Sequence, residues 1–257
     1  MKNILFLLST LALVSCASTK SKDFTYQVEG VDHIGHIASG ASKGEKKPAV
    51  IIVHEWWGHN EYARSRADKL AELGYVAMSI DMYGNGKQAS HPKDAGAFAK
   101  KTMSDFKLAK KKFTKAIEIL KKRDDVDSDK IVAIGYCFGG GVVLNMVRAG
   151  VDLDLVASFH GSLGAATQMK KGSFKGKVLV YNGGDDPFVK ASEIAAFKKE
   201  MKKNKVNMEF VSYPGAVHAF TNKGADKYGK QFNLPLAYNE KADTKSWNDF
   251  LMHLNNL

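Results

Sequence analysis

The chain has 257 residues, and its 38 Lys and Arg against 27 Asp and Glu give a formal net charge of +11 at pH 7. Its two cysteines exclude a disulfide-stapled scaffold. The lysines cluster on helical segments with no aromatic platform interleaved, which argues against a nucleic-acid partner and for a solvated basic surface compatible with anionic membrane lipids.

The first residues read as an address. Lys2 precedes the apolar run Ile4 to Leu8, and the chain continues to Leu13-Val14-Ser15-Cys16, the layout of a secretory signal too short to span as a mature helix. Leu13-Val14-Ser15-Cys16 resembles the lipobox of bacterial lipoproteins. That resemblance implies a signal peptide over 1–15, lipidation of Cys16, a short polar tether over 16–23 and a lipid-anchored place in the bacterial cell envelope. The remaining chain of about 240 residues is ample for one buried core. With Cys16 modified, Cys137 stays an unpaired thiol in an oxidising compartment, a chemical liability unless it is used.

Phe24 to Glu29 and His33 to Ala38 alternate in polarity and predict an antiparallel hairpin. Pro48 to Val53 is continuously apolar, as expected of a central strand covered on both faces, and it runs into His54-Glu55-Trp56-Trp57-Gly58-His59. A helix follows over 61–74, a strand over 75–81, a helical pattern over 92–123, and a strand at Ile131 to Ile134. That strand enters Gly135-Tyr136-Cys137-Phe138-Gly139-Gly140, which has the form of a nucleophile elbow with cysteine in the serine position. Such a turn lifts the side chain clear of the sheet, at the N-terminus of the apolar helix that begins here, and turns the N–H of Phe138 towards an oxyanion.

Further strands are predicted at Leu155 to Phe159, Lys177 to Tyr181 and Asn207 to Tyr213, with helices at Ser192 to Lys203 and Asn239 to Leu254. The alternation predicts a single three-layer α/β domain over 24–257, with a mostly parallel sheet. Cys137, Asp186 and His218 then follow successive strands in the order nucleophile, acid, histidine. Attack on a carbonyl by a thiol needs an imidazole to move the proton and a carboxylate to hold the imidazole. Glu55, between a strand end and two tryptophans, is costly to keep charged, so its proton affinity should be raised. His54, His59 and His160 read as packing or pocket wall rather than metal ligands.

Together the elbow, His54-Glu55-Trp56-Trp57-Gly58, Gly183-Gly184-Asp185-Asp186-Pro187-Phe188-Val189 and His218-Ala219-Phe220 resemble the dienelactone hydrolase family. The resemblance implies an eight-stranded α/β-hydrolase fold and a Cys137–His218–Asp186 triad, with the acid at Asp186 rather than Asp185. It also implies a Glu55 that assists thiolate formation, and an oxyanion hole from the N–H groups of Trp56 and Phe138. No cofactor or metal is expected. The partner is a small ester, lactone or thioester, and the chain is expected to be monomeric. Trp57, Tyr83, His160, Phe220 and Asn222 are expected around the substrate.

Two departures bear on the substrate. The family's carboxylate-binding arginines are absent: the loop after residue 81 reads Met82-Tyr83-Gly84-Asn85-Gly86-Lys87, and Asn222 occupies the second position. Lys87 or Lys223 could supply charge but not bidentate geometry, so neutral esters are expected to be preferred. The rival reading is a non-catalytic envelope binding or scaffolding lipoprotein that keeps the fold.

Overall fold

The computed structural model describes residues 19–257; the signal segment and Cys16 lie outside the described residues. Eight strands form one sheet: β1 (Lys20–Val28), β2 (Val31–Ser39), β3 (Lys47–Val53), β4 (Val76–Ile80), β5 (Val126–Tyr136), β6 (Leu155–Phe159), β7 (Lys177–Gly183) and β8 (Asn207–Tyr213). Their spatial order is β1-β2-β4-β3-β5-β6-β7-β8. β1 and β2 form the expected antiparallel hairpin, β2 lies antiparallel to β4, and all other pairs are parallel.

The helices are α1 (Glu61–Glu72), α2 (Pro92–Ser104), α3 (Phe106–Lys121), α4 (Phe138–Arg148), α5 (Ala191–Lys203), α6 (Ala225–Phe232) and α7 (Glu240–Asn255). Alternate residues of each central strand feed two cores. Ala49, Ile51 and Val53 join Phe113 of α3, Val142 of α4 and Phe197 of α5 on one face. Val50 and Ile52 join Leu70 of α1 and Trp247 and Phe250 of α7 on the other. The fold is thus the three-layer α/β-hydrolase architecture with a mostly parallel eight-stranded sheet.

Several elements differ from expectation, among them β5, which starts at Val126 rather than Ile131. β1 starts at Lys20, inside the expected tether, because Lys20 to Asp23 pair with Ser39 to His36 of β2. The long helical pattern breaks at Asp105, whose side chain accepts the Leu108 N–H at 3.0 Å and caps α3. Helix α6, eight residues ending at a left-handed Asn233, is an unexpected element: Ala225, Tyr228 and Phe232 fall at helical spacing, but over only two turns.

On the α1/α7 face the buried Arg66 ties three segments together. Its Nη2 donates to Tyr62 Oη at 3.0 Å, to the Thr221 carbonyl at 2.5 Å and to Asp243 Oδ1 at 3.1 Å. Its guanidinium lies over the rings of Tyr62, Tyr136 and Trp247. The loop after β8 is therefore fastened to both covering helices.

The turn between β5 and α4 depends on close backbone contact. A Cβ on Gly139 would sit 2.2 Å from the Val53 carbonyl oxygen, and one on Gly135 would sit 2.1 Å from that of Gly139. Gly139→Ala should accordingly destabilise the protein by roughly 1–3 kcal/mol. Gly96→Ala, in the middle of α2 where an added Cβ meets nothing within 4 Å, should stabilise it by about 0.5–1 kcal/mol. Urea denaturation midpoints of the two variants read both changes; equal midpoints would remove the steric account of the elbow.

Candidate active site

The carboxyl ends of the parallel strands converge, and each presents one of the expected side chains. Cys137 follows β5 with φ 53° and ψ −114°, a strained combination for a residue with a Cβ. Its N–H donates both to the Phe159 carbonyl at 3.0 Å and to His160 Nδ1 at 3.1 Å, which pins the turn from the β6 side. As the residue before α4 it makes no side-chain cap, so the first-turn N–H groups of that helix remain directed at the site. Neither the Phe138 N–H nor the Trp56 N–H donates to another protein atom among the described residues.

Asp186 stands in the turn after β7. Its Oδ1 accepts the Phe188 N–H at 2.9 Å, which fixes the carboxylate so that Oδ2 meets His218 Nδ1 at 2.7 Å. His218 is held from behind: its backbone bridges Leu236, and Ala237 N–H donates to its carbonyl at 3.2 Å. Burial alone would lower the proton affinity of this imidazole. The Cys137 sulfur and the Asp186 carboxylate outweigh burial and hold it well above the ordinary range.

Glu55 follows β3 and is 2 % exposed. Burial raises its carboxyl to about 7, against the opposing effects of a hydrogen bond from Asn222 and the charges of His218 and Arg66. Asn222 Nδ2 donates to Glu55 Oε2 at 2.6 Å, while Asn222 Oδ1 accepts the Gly224 N–H at 2.8 Å and so sets which end of the amide faces the acid. Beneath the site, His160 accepts from Cys137 N–H and must carry its proton on Nε2, which lies 2.7 Å from Thr221 Oγ1. Burial holds this imidazole far below its ordinary range, hence neutral. His54 bonds the Glu55 carbonyl through Nδ1 and accepts the Met82 N–H at Nε2, and His59 bonds Ser79; both are packed by these bonds.

Cys137 and His218 open into a cleft of about 300 Å³ walled by Trp56, Met103, Phe138, Phe188 and Val189. The five residues expected around the substrate line other places, and each has a physical reason. Trp57 is buried and stacks on Tyr228 of α6 at 4.3 Å between ring centroids. Tyr83 stands behind Trp56, donating its hydroxyl to the Trp56 carbonyl at 2.9 Å. His160 lies under the elbow, Phe220 is fully buried in the α7-side core, and Asn222 is committed to Glu55. Their replacements were partly readable: Phe188 and Val189 follow Asp186 with only Pro187 between, so the turn that aims the acid also aims them. Met103 comes from α2 and carries no such signal.

Lys87 lies in a different cleft, and Lys223 sits near Tyr238 and the Arg66 surface. Neither reaches the space above Cys137. Lys100, exposed at the rim, is the lysine that borders it.

The sequence model of the dienelactone hydrolase family matches residues 35–257. Protein usf of Aquifex pyrophilus is 32 % identical over 230 residues, spanning 83 % of this chain and 95 % of that protein. A Bradyrhizobium protein named "Probable 2-oxo-3-(5-oxofuran-2-ylidene)propanoate lactonase" is 27 % identical over 235 residues, spanning 88 % of this chain and 90 % of its own. Among solved structures, a dienelactone hydrolase-like promiscuous phosphotriesterase from metagenomic libraries superposes with a TM-score of 0.84 at 29 % identity, covering 93 % of this chain and 98 % of that one. With the family's sequence model matching nearly all of its described length, this chain belongs to the dienelactone hydrolase family.

Proposed function

We propose that the protein hydrolyses a small carboxylic ester, lactone or thioester by covalent catalysis at Cys137. The observation that carries this reading is the strained Cys137 turn facing the His218–Asp186 pair. Family membership supports a hydrolase of lactones or esters; the assignment of roles is ours.

In the proposed cycle the Cys137 thiolate attacks the carbonyl carbon while the N–H groups of Trp56 and Phe138 receive the charge that develops on oxygen. Collapse of the tetrahedral adduct breaks the carbonyl–leaving-group bond, and the His218 imidazolium gives its proton to the departing oxygen or sulfur. Water then gives a proton to His218 and attacks the thioester, releasing the acid and regenerating the thiolate. Asp186 keeps the imidazole in the tautomer and orientation both half-reactions need. Glu55, with a proton affinity near neutrality, takes the thiol proton when thiol and imidazole are both neutral and passes it to His218, which restores the thiolate–imidazolium pair.

The apolar cleft and the loss of the arginines favour an uncharged acyl or aryl group. Asn222 is spent on Glu55, and Lys100 at the exposed rim meets a hydrated anion, where an ion pair is weak. We place the mature protein in the cell envelope, anchored through Cys16, on the strength of Leu13-Val14-Ser15-Cys16 alone; mass spectrometry of the envelope fraction should find an acylated Cys16 as the N-terminal residue.

Cys137→Ala should fold and lose kcat/KM on short acyl esters by about a thousandfold or more, and iodoacetamide should inactivate the wild type in proportion to alkylation of Cys137. Wild-type turnover in Cys137→Ala would sink the mechanism. Because Glu55 acts as a base, kcat/KM should rise as pH increases through about 7, where its carboxyl ionises. Glu55→Gln should lower kcat/KM roughly a hundredfold and abolish that limb. Asn222→Leu removes a bond that favours the carboxylate, so the limb should move to higher pH; an unmoved limb in both variants would assign it to another group. A neutral ester should exceed its carboxylate-bearing analogue in kcat/KM by roughly tenfold to a hundredfold, and the opposite order would return the protein to anionic substrates.

A further inference from the structure

A second cleft, of about 340 Å³, lies between α2, α3 and the Tyr83–Lys87 loop. It shares no lining residue with the cleft at Cys137. The two are separated by α2 itself, which turns Phe98, Lys101 and Thr102 to one and Ala99, Lys100 and Met103 to the other. The volume is within the range of small-ligand sites.

Three lysines, Lys87, Lys101 and Lys112, line this cleft against one acid, Asp105. Lys112 is 8 % exposed, and the ammonium of a buried lysine is expensive to keep without a counter-charge. Its Nζ donates to the Met82 carbonyl at 2.9 Å, which occupies one of three N–H groups. Among the described residues none of the three ammoniums is in an ion pair, although neighbouring lysines of α3 are: Lys111 with Glu29, Lys115 with Glu118. Asp81 approaches Lys112 from beneath the cleft, but its oxygens accept the N–H groups of Tyr83, Gly84 and Gly86. Asp105 is partly spent on capping α3. Burial lowers the proton affinity of Lys112, Asp81 and Asp105 oppose this, and Lys101 and Lys87 add to it by repulsion.

We infer that this cleft is a binding site for a small soluble phosphate monoester, with the Lys112, Lys87 and Lys101 ammoniums on the dianion and Tyr83, Phe98 and Leu108 against its organic part. A dianion answers the unneutralised charge, and lysine binds phosphate as a point charge without needing the planar fork of arginine. Because α2 walls both clefts, and Tyr83 supports the Trp56 carbonyl, occupancy would brace one side of the substrate cleft.

The test is thermal unfolding and calorimetric titration of the mature protein with inorganic phosphate and phenyl phosphate, at ionic strength matched with sodium chloride. Saturable heat and a melting temperature that climbs with ligand concentration are expected, with phenyl phosphate the tighter of the two. Both responses should be lost in Lys112→Met. They should fall at least tenfold in affinity in Lys87→Met/Lys101→Met, where both side chains are exposed and the fold is not at risk. A response no larger than that to sodium chloride, or one unchanged in the double variant, overturns the inference. Vesicles containing phosphatidic acid at equal phosphate concentration separate a lipid headgroup from a free ester, and a response to vesicles alone overturns it as well.

Discussion

Backbone touching backbone at the β5–α4 turn sets the terms for the rest of the site. Gly139 lies against the Val53 carbonyl and Gly135 against that of Gly139, so β3, β5 and α4 can approach until residue 137 has no relaxed conformation left to take. Strain of this kind costs on the order of 1–3 kcal/mol and persists only when the surroundings over-determine it. Here the surroundings are the Phe159 carbonyl and His160 Nδ1, both accepting the Cys137 N–H, and a helix whose apolar residues are buried throughout. The return is geometric: the sulfur stands above the sheet, at a helix N-terminus, with open N–H groups beside it.

The electrostatics follow from that placement. Two neighbouring groups, His218 and Glu55, are pushed in the same direction for different reasons. His218 is raised by the Cys137 sulfur and the Asp186 carboxylate, despite burial. Glu55 is raised by burial itself, tempered by Asn222. In the proposed cycle the first gives a proton and the second, near neutrality, takes one. Arg66 joins the two regions, since it holds the Thr221 carbonyl next to Asn222 and ties that loop to α1 and α7. Anchorage far from the sulfur therefore governs where both groups stand.

Much of the layout was legible because the chain writes its sheet plainly. Buried strands such as Pro48 to Val53 are apolar on every residue, and the polar residues that end them can only lie at the sheet's carboxyl edge. That was enough to bring Cys137, Asp186, His218 and Glu55 into one neighbourhood. It was not enough to say which way a side chain turns after the strand. Trp57 and Trp56 are adjacent, yet one stacks on α6 and the other walls the cleft; the apolar face of α6 is only two turns long, too short a pattern to announce the helix. The family resemblance puts Asn222 at the position of a substrate-binding arginine, whereas a tertiary hydrogen bond assigns it to Glu55. The break at Asp105 was hidden by an apolar stripe that runs through it, and it is the capped turn there that makes α2 a separate wall between two clefts.

The central claim is that the acyl group passes through the Cys137 sulfur. Rapid quenching during turnover of a short acyl ester, followed by peptide mass spectrometry, reads this directly. The account predicts one acyl group on the peptide containing Cys137, appearing within the first turnover and disappearing when the ester is consumed. Turnover with that peptide unmodified throughout, or with the acyl group on a serine, would contradict it.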